Sequence, residues 1–294
     1  EEILPLITLN VRNVHQALPQ ALALFNGTTA AVRTTRNGPA MVLQEPLSTT
    51  YAEPRERVLF WPERDANPFF HLLEACWMLQ GRRDVNFVAR FASNMRSFSD
   101  NGETLHGAYG HRWISYFGFD QLTKIIGQLR ANPEDRRCVL SMWDAAGDLG
   151  RPSKDLPCNT HAYVQVNGAG QLDLMVCNRS NDLVWGAYGA NAVHFSVLLE
   201  YLATCIGVPV GTYTQVSMNT HIYERHWGLR TQLQLGPDPY VTGEATPRPL
   251  MSLPKEKWDG ELEGLLTLGL TPTDPFLRDI VQPMLNAWTI FKEG

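Results

Sequence analysis

The chain has 294 residues, of which 44% are hydrophobic and 19% charged, and its 30 acidic and 25 basic side chains leave a net charge of −5. This composition excludes a disordered chain, and the mild acidity excludes a nucleic-acid coat or a polybasic membrane anchor, which need clustered Lys and Arg. No run of about 18 apolar residues predicts a membrane helix, and the first residues lack the basic and apolar regions of a signal peptide.

Apolar periodicity predicts three helices, over residues 68–80, 119–130 and 192–206. The third is apolar on nearly every face, as a central core helix would be, and Gly207 follows it as a stop signal. The chain shows no repeat, low-complexity tract or Gly/Ser linker, so a single domain over residues 1–294 is expected.

Alternating apolar residues predict four strands, over 136–143, 161–167, 171–176 and 212–218. The second and third form a hairpin around the turn 168–170. A Pro-rich last third predicts loops and edge strands, closed by a terminal helix near 275–291. The fold class is therefore α+β, with a mixed or antiparallel sheet around a buried central helix.

The five cysteines are odd in number and contain no C-x-x-C pair, which indicates reduced thiols rather than a disulfide framework or a zinc site. Four lie in apolar helices or strands and are expected in the core: Cys76, Cys138, Cys177 and Cys205. Cys158 lies in a polar turn before a strand, where it is either structural or a reactive nucleophile beside cations. No metal site is predicted.

Arginines flank two of the predicted strands. Arg136 and Arg137 begin one, and Arg179, followed by Ser180, ends another. Forked guanidinium groups with a hydroxyl suit bidentate phosphate binding, and neighbouring side chains on a strand point to opposite faces, so one of the pair could face a partner subunit. Surface ion pairs are the alternative.

Three further residues have two interpretations each. Glu74 lies inside an apolar helix, either as a salt-bridged core residue or as a proton-transfer group. His221 and Tyr223 alternate in an extended run, so both could face one cleft, for instance toward sugar hydroxyls. Satisfied core positions are the alternative for both.

Several separated motifs occur in a fixed order: NPEDRRCVLSMWD (132–144), DLPCNTH (155–161), NRSNDLVWG (178–186), an Asn opening a helix (Asn191) and NTHIYERH (219–226). With them the chain, from residue 36 to 226, resembles the thymidylate synthase family, closest to its pyrimidine nucleotide hydroxymethylase branch. The resemblance implies an α+β homodimer joined through sheet faces, with each active site completed by the other subunit.

The resemblance also implies a role for each matching position. Cys158 would be the nucleophile, with Glu74 ordering water and moving protons and Tyr109 lining the cavity. The phosphate of a pyrimidine nucleoside monophosphate would be held by Arg36, Arg179 and Ser180 and, across the dimer, by Arg136 and Arg137. The sugar 3′-hydroxyl would be bound by His221 and Tyr223, and the pterin of the co-substrate 5,10-methylenetetrahydrofolate by Asp182.

In such a reaction the thiolate of Cys158, its pKa lowered by nearby Arg, adds to C6 of the base, and C5 takes up the one-carbon unit as an exocyclic methylene. Hydride from tetrahydrofolate gives a methyl group, and water gives hydroxymethyl. Synthases shield the methylene with a tryptophan that packs on the folate. Met95 and Phe98 stand at the two tryptophan positions here, Asn159 replaces the usual His after the nucleophile, and the terminus lacks a short apolar tail. All three changes predict that water, and not hydride, adds to the exocyclic methylene.

The choice of base depends on one residue of the resemblance. Synthases pair an Asn with uracil, whereas dCMP hydroxymethylases have Asp there, because cytosine offers a donor amine. Here the segment 186–191 is one residue longer than usual. If the extra residue is accommodated, Asn191 faces the base and uracil is preferred; in an ungapped alignment Ala190 takes that place. A flipped Asn amide would also serve cytosine.

The leading hypothesis is a folate-dependent dUMP hydroxymethylase, acting in the cytoplasm, or in the host cytoplasm if a phage that replaces thymine in its DNA encodes it. The alternatives are a dCMP or CMP hydroxymethylase and a true thymidylate synthase. A non-catalytic nucleotide- or RNA-binding protein is disfavoured, since Cys158, Glu74 and Asp182 are present and no basic stripe marks a nucleic-acid surface.

Overall fold

The computed structural model of the chain describes residues 6–27, 30–234 and 236–293. The first five residues, included in the search for a signal peptide, lie outside this part. The described strands are β1 (Ile7–Val11), β2 (Ala30–Thr35), β3 (Gly38–Leu43), β4 (Leu47–Tyr51), β5 (Val139–Ser141), β6 (Asn159–Val166), β7 (Leu172–Asn178), β8 (Asn181–Asp182), β9 (Val210–Ser217) and β10 (Thr220–Tyr223). The longer helices are α1 (Val14–Ala23), α2 (Pro68–Leu79), α3 (Gln121–Ala131), α4 (Asn191–Ile206), α5 (Lys255–Leu268) and α6 (Gln282–Glu293).

The strands form two mixed sheets. One has six strands in the order β1-β4-β9-β7-β6-β5, and the other has four in the order β2-β3-β10-β8. The predicted hairpin is confirmed, because β6 and β7 pair antiparallel with Val166 opposite Leu172. The parallel neighbours β7 and β9 are joined through the central helix α4. The predicted α+β architecture, a mixed sheet around a buried helix, is therefore confirmed.

Helix α4 is the centre of the core. Its side chains are buried at nearly every position, and it ends where Gly207 adopts a left-handed φ of +91°. The stretch Leu183–Ile206 is long and apolar enough to cross a membrane, but it is 89% buried inside the protein. Burial of this kind is typical of a core helix. The predicted absence of membrane segments and the cytoplasmic location stay predictions.

One strand prediction was wrong at both ends. Strand β5 is much shorter than 136–143, so Arg136 and Arg137 precede it instead of lying on it. The cause is local: the carboxylate of Asp135 accepts both the backbone N–H and the guanidinium of Arg137, which holds the chain in a turn before pairing begins. The argument that a strand separates the two arginines to opposite faces therefore fails.

The Pro-rich last third contains a helix where none was predicted. No strand lies between residues 237 and 254 in the described chain, so the expected edge strands were wrong. Pro254 precedes helix α5, whose buried Trp258, Leu262 and Leu265 follow helical spacing. This i, i+4, i+7 pattern was a readable signal. The terminal helix near 275–291 is confirmed as Leu277–Val281 continued by α6.

Candidate active site

A cavity of about 210 Å³ lies between helix α2, the loop before β6 and the start of helix α4. Seven of the residues that the sequence singled out line it: Glu74, Met95, Tyr109, Cys158, Ser180, Asp182 and Asn191. They come from six separate parts of the chain. The fold therefore brings these seven predicted residues together at one place.

Cys158 lies in a loop that two side chains hold. The Arg179 guanidinium donates from Nε to the carbonyl of Pro157 (2.8 Å) and from Nη2 to that of Leu156 (3.1 Å), with Nη2 also 3.8 Å from the Cys158 Sγ. The Tyr109 hydroxyl oxygen accepts the backbone N–H groups of Cys158 (3.0 Å) and of the next residue (3.1 Å). These bonds fix the thiol against the cavity.

The electrostatics of Cys158 differ from the expectation. Burial raises the pKa of its thiol, Asp155 raises it further, and Arg179 and Arg36 oppose this only in part. The arginines act in the predicted direction, but the predicted net lowering of the thiol pKa is wrong, because removing a thiolate from water costs more than two exposed guanidinium groups offset. Burial likewise raises the pKa of the Tyr109 hydroxyl, which stays protonated.

Arg36 approaches the same loop from another sheet. It lies at the turn between β2 and β3, and its Nη2 donates to the Lys154 carbonyl at 2.9 Å. The adjacent Asn37 donates from Nδ2 to the Tyr223 hydroxyl at 3.2 Å. Two exposed guanidinium groups, Arg36 and Arg179, thus converge on one loop, as bidentate anion binding requires.

His221 and Tyr223 share one face of β10, with ring centroids 5.0 Å apart. Asn219 links this strand to the cavity, because its Oδ1 accepts from the Ser180 hydroxyl at 3.5 Å and lies 3.0 Å from the His221 Nδ1. Burial lowers the pKa of His221, with Asp182 opposing, so the ring is mostly neutral at neutral pH. A neutral imidazole suits a hydroxyl partner.

Glu74 combines both interpretations offered by the sequence. Its side chain, 12% exposed, lines the cavity, and its Oε2 lies 3.1 Å from the Nε2 of His194. That contact is not aligned as a hydrogen bond, and the His194 Nε2 has no other partner among the described residues. Glu74 is thus a paired core residue that also reaches the cavity.

One carboxylate oxygen of Asp182 caps a helical segment, and the other lies near a cation. Its Oδ1 accepts the backbone N–H groups of Val184 and Trp185 at the start of a helical segment, while its Oδ2 lies 3.8 Å from the Arg225 guanidinium. The capping bonds hold the carboxylate in place at the cavity wall.

The two residues at the tryptophan positions separate in the structure. Met95 lines the cavity, whereas Phe98 packs against the core and is not among the residues of the wall, so its place beside a folate stays a prediction. Trp77 and Trp185 supply the aromatic wall.

Asn191 reaches the cavity because the preceding segment is wound more widely than an α-helix. Residues Leu183–Ala190 are π-helical, with Tyr188 and Gly189 outside helical φ/ψ, and the Asn191 N–H bonds to the Gly186 carbonyl five residues back. A π turn takes up one extra residue. Ala190 and Asn191 both line the cavity, and Asn191 carries the hydrogen-bonding group.

Asn159 lies beneath the wall instead of forming it. The side chain is 1% exposed and donates from Nδ2 to the Asn191 Oδ1 at 3.2 Å. Arg136 and Arg137 do not line this chain's cavity; both are exposed, and Arg137 forms an ion pair with Asp135. Their predicted action from a second subunit stays a prediction.

The cavity residues that the sequence analysis did not single out include Asp155, Trp185 and His194. Asp155, whose carboxyl pKa is raised by burial, accepts the Gly107 N–H at 2.7 Å. It stands three residues before the nucleophile, so proximity in the chain was its signal. His194 lies one helical turn after Asn191, which was a signal as well.

Among the described residues, no group of three or more His, Cys, Asp or Glu side chains is placed to hold a metal ion. The predicted absence of a metal stays a prediction.

Comparisons with known proteins agree with this arrangement. A sequence profile described as thymidylate synthase matches residues 66–253. The chain is 53% identical to the deoxyuridylate hydroxymethyltransferase of Pseudomonas phage M6, over 97% of this chain and 84% of that protein. It is 37% identical to the protein of the same name from Bacillus phage SP01, over 63% of this chain and 51% of that protein. It is 33% identical to the thymidylate synthase of Symbiobacterium thermophilum, over 58% of this chain and 65% of that protein.

Proposed function

Because this chain belongs to the thymidylate synthase family and is a one-carbon-transferring enzyme of its hydroxymethylase branch, we propose that it converts dUMP to 5-hydroxymethyl-dUMP with 5,10-methylenetetrahydrofolate. The observation that carries the choice of product is Met95, a flexible thioether in the cavity wall where synthases have a shielding indole. The names of the phage relatives support the choice of substrate.

The nucleotide is held at its phosphate and sugar by groups around the Cys158 loop. Arg36 and Arg179 supply two forked cations and Ser180 a hydroxyl, which together suit a phosphate monoester. His221 and Tyr223 bind the sugar hydroxyl from one face of β10. An anchored phosphate fixes the distance between the base and the thiol.

Cys158 supplies the nucleophile. Its thiolate adds to C6 of the pyrimidine, and the electron pair moves to C5, which bonds to the one-carbon unit. Loss of the C5 proton, with tetrahydrofolate as the leaving group, then gives an exocyclic methylene at C5. Because burial raises the pKa of the thiol, the step depends on Arg179, whose Nη2 lies 3.8 Å from Sγ and stabilises the thiolate. Tyr109 holds the loop and keeps its own proton for donation into the cavity.

The residues present fit a folate at the open side of this cavity. The Trp185 indole packs 5.4 Å from the Phe70 ring, centroid to centroid, and lines the cavity with Met95, which gives an apolar wall for a pterin. The fixed carboxylate of Asp182 suits the pterin's N–H donors. When bound, the folate supplies a carbon at the methylene level of oxidation.

Water completes the reaction in this proposal. Glu74, at the wall and beside His194, orders a water molecule and takes its proton. The hydroxide adds to the exocyclic methylene at C5, the electron pair returns through the ring, and the thiolate of Cys158 leaves C6. Met95 is narrower than an indole, so it leaves room for this water.

Incubation with dUMP, dCMP or CMP and methylenetetrahydrofolate, followed by mass spectrometry of the nucleotide, tests the proposal. Hydroxymethyl-dUMP without release of dihydrofolate is the expected result. Methylated product with dihydrofolate would show a true synthase. Turnover of dCMP or CMP alone would keep the mechanism and change the substrate.

We further propose that the enzyme is a homodimer joined through its larger sheet, with Arg136 and Arg137 completing the other subunit's phosphate site. The outer face of that sheet carries a row of cross-strand apolar neighbours, Val139, Tyr163 and Met175, which are 41%, 46% and 43% exposed. Such a row is typical of a covered surface. Arg136 and Arg137 lie at its edge, just before β5.

A mixing experiment tests this arrangement. Cys158→Ser and the double variant Arg136→Ala/Arg137→Ala are each expected to be inactive, but their co-expression restores roughly a quarter of the wild-type activity, because half the dimers are mixed and each has one intact site. No recovery, or full activity of the double variant alone, would contradict the shared site.

A further inference from the structure

Four side-chain amides run in series at the wall of the cavity, which Asn181 and Asn191 line, and behind it. Asn159 donates from Nδ2 to the Asn191 Oδ1 (3.2 Å), Asn191 from Nδ2 to the Asn181 Oδ1 (3.1 Å), and Asn181 from Nδ2 to the Gln215 Oε1 (3.4 Å). All four are buried, at 1%, 7%, 2% and 2% exposure in that order. We call this series the amide relay. In each bond of the relay, the side-chain nitrogen of one amide donates to the side-chain oxygen of the next.

The far end of the amide relay is anchored on the backbone. Gln215 donates from Nε2 to the carbonyl of Ala187 at 2.9 Å. A carbonyl only accepts, so the Gln215 amide has one orientation, with Oε1 toward Asn181. Asn181 must then present its Nδ2 to Gln215 and its Oδ1 to Asn191. The backbone thereby determines which end of the Asn191 amide faces inward.

The other end of the amide relay, at Asn159, is not anchored. The Oδ1 of Asn159 is buried and has no hydrogen-bond partner among the described residues. If Asn191 flipped, Asn159 would turn with it and lose nothing. Asn181 would not, since its Oδ1 would then face the Oδ1 of Asn191. Asn181 and Gln215, and not Asn159, therefore hold the orientation.

Close packing reinforces the anchored end. A Cβ at Gly186 would lie 2.5 Å from the Asn181 Oδ1 and 3.5 Å from the Asn191 Nδ2. A contact of 2.5 Å between carbon and oxygen is a steric overlap. The amide relay therefore uses the space that the missing side chain of Gly186 leaves.

The bonds of the amide relay determine which hydrogen-bonding groups of Asn191 remain for a base. After its two bonds in the amide relay, Asn191 retains one N–H and one oxygen lone pair, in a fixed order, at the wall of the cavity that holds Cys158. Uracil presents an acceptor at O4 and a donor at N3, and cytosine presents the reverse. A fixed amide pairs with one of these edges and opposes the other.

We propose that Asn181 and Gln215 are positioning residues that lock Asn191 in the orientation that accepts uracil and rejects cytosine. This rests on the proposed function, which supplies uracil as the base. Gln215 is not part of the cavity wall, and Asn181, which is, uses its Nδ2 on Gln215 and Ser217. The selectivity of the enzyme is thus set by a hydrogen-bond direction that begins at the backbone carbonyl of Ala187, in the helical segment before Asn191.

A matched pair of variants at one position tests the lock. Asn181→Leu removes the acceptor for Asn191 and frees it to flip, whereas Asn181→Asp keeps an oxygen there that only accepts. The readouts are kcat/KM with dUMP and dCMP and the Kd of each nucleotide by calorimetry. Asn181→Leu is expected to lower the preference for dUMP over dCMP by at least about tenfold, and Asn181→Asp to keep it within about threefold of wild type.

A merely structural role would reduce both substrates equally and leave their ratio unchanged, and that result would overturn the proposal. So would equal ratios in the two variants. Gln215→Met, which removes the anchor but leaves Asn181 in place, provides a second test should Asn181→Leu fail to fold, and it too is expected to lower the ratio. If the wild type prefers dCMP, the proposed function fails, while a shift of that preference in Asn181→Leu still supports the lock.

Discussion

Two cavities lie on opposite sides of the same pair of helical segments. The larger cavity has a volume of about 490 Å³, and helix α2 contributes His71 and Leu72 to its wall. The smaller cavity has a volume of about 210 Å³, and the same helix contributes Glu74 and Trp77 to it. The segment 186–194 likewise contributes to both. The larger cavity is the more conspicuous, yet the predicted chemistry lies in the smaller one.

The difference lies in the state of the polar groups. In the larger cavity Arg57 is paired with the buried Glu200, and burial lowers the pKa of His71 to about 3, so it stays neutral. None of its described lining residues is a cysteine. In the smaller cavity a thiol and the carboxyl groups of Glu74 and Asp155 meet. Convergence of reactive groups, and not volume, identifies the active site.

Removing the nucleophile gives the sharpest contrast. Cys158→Ser is expected to lower kcat by about 10³-fold or more, because a serine hydroxyl is far less ionised than a thiol. The measurement is product formation by mass spectrometry. Cys177→Ser, at a partly buried cysteine outside the cavity, is the control and is expected to retain activity. Full activity of Cys158→Ser would refute the assignment.

Changing one carboxylate in each cavity tests the comparison directly. Glu74→Gln is expected to lower kcat by about 10²-fold, because the amide cannot take a proton from water. Asp65→Asn, in the larger cavity, is the control, since Asn tolerates the left-handed φ of +46° at that position. Steady-state kinetics on both variants provide the measurement. Equal losses would show that the larger cavity also takes part.

Filling the smaller cavity should alter its product. Met95→Trp is expected to raise the methylated fraction of the product at least about tenfold, because an indole displaces the attacking water. Phe98→Trp, outside the wall, is expected to leave the fraction unchanged. Chromatography of the nucleotides gives both values. An unchanged product from Met95→Trp would mean that shielding at this position does not decide the acceptor.

In the smaller cavity, a carboxylate also changes the pKa of the Cys158 thiol. The Asp155 carboxylate raises the pKa of Cys158. Asp155→Asn removes that negative charge, so the thiol pKa falls and alkylation by iodoacetamide becomes about threefold faster at pH values between the pKa of the Asp155 carboxyl and that of the thiol. The midpoint of the rate against pH moves down. A midpoint that stays or rises would contradict this, and Asp100→Asn, outside the cavity, is the control.

The smallest effect is expected in the larger cavity. The Tyr240 hydroxyl there accepts the Val58 N–H at 3.1 Å. Tyr240→Phe should cost about 1 kcal/mol of unfolding free energy, since that N–H loses its protein partner, and leave kcat/KM within about twofold. Denaturant titration and kinetics measure the two quantities. A large loss of activity would assign the larger cavity a function.

Local sequence signals were sufficient for several elements. Helix α2 begins after Asn67, whose side chain caps it, and ends before Gly81, and the turn between β6 and β7 follows from its glycines. These features depend on neighbours in the chain, so they can be read there. The shortened β5 shows the limit, because the side-chain bonds of Asp135 delayed the pairing.

The sequence by itself determined the family and the α+β class and pointed to Cys158 as the candidate nucleophile, because ordered motifs and local periodicity carry that information. Tertiary structure alone decided the sign of the Cys158 pKa shift, the separation of Met95 from Phe98 and the orientation of Asn191. Desolvation and hydrogen-bond direction depend on groups far apart in the chain, such as Gln215 and the Ala187 carbonyl, which only the folded core brings together.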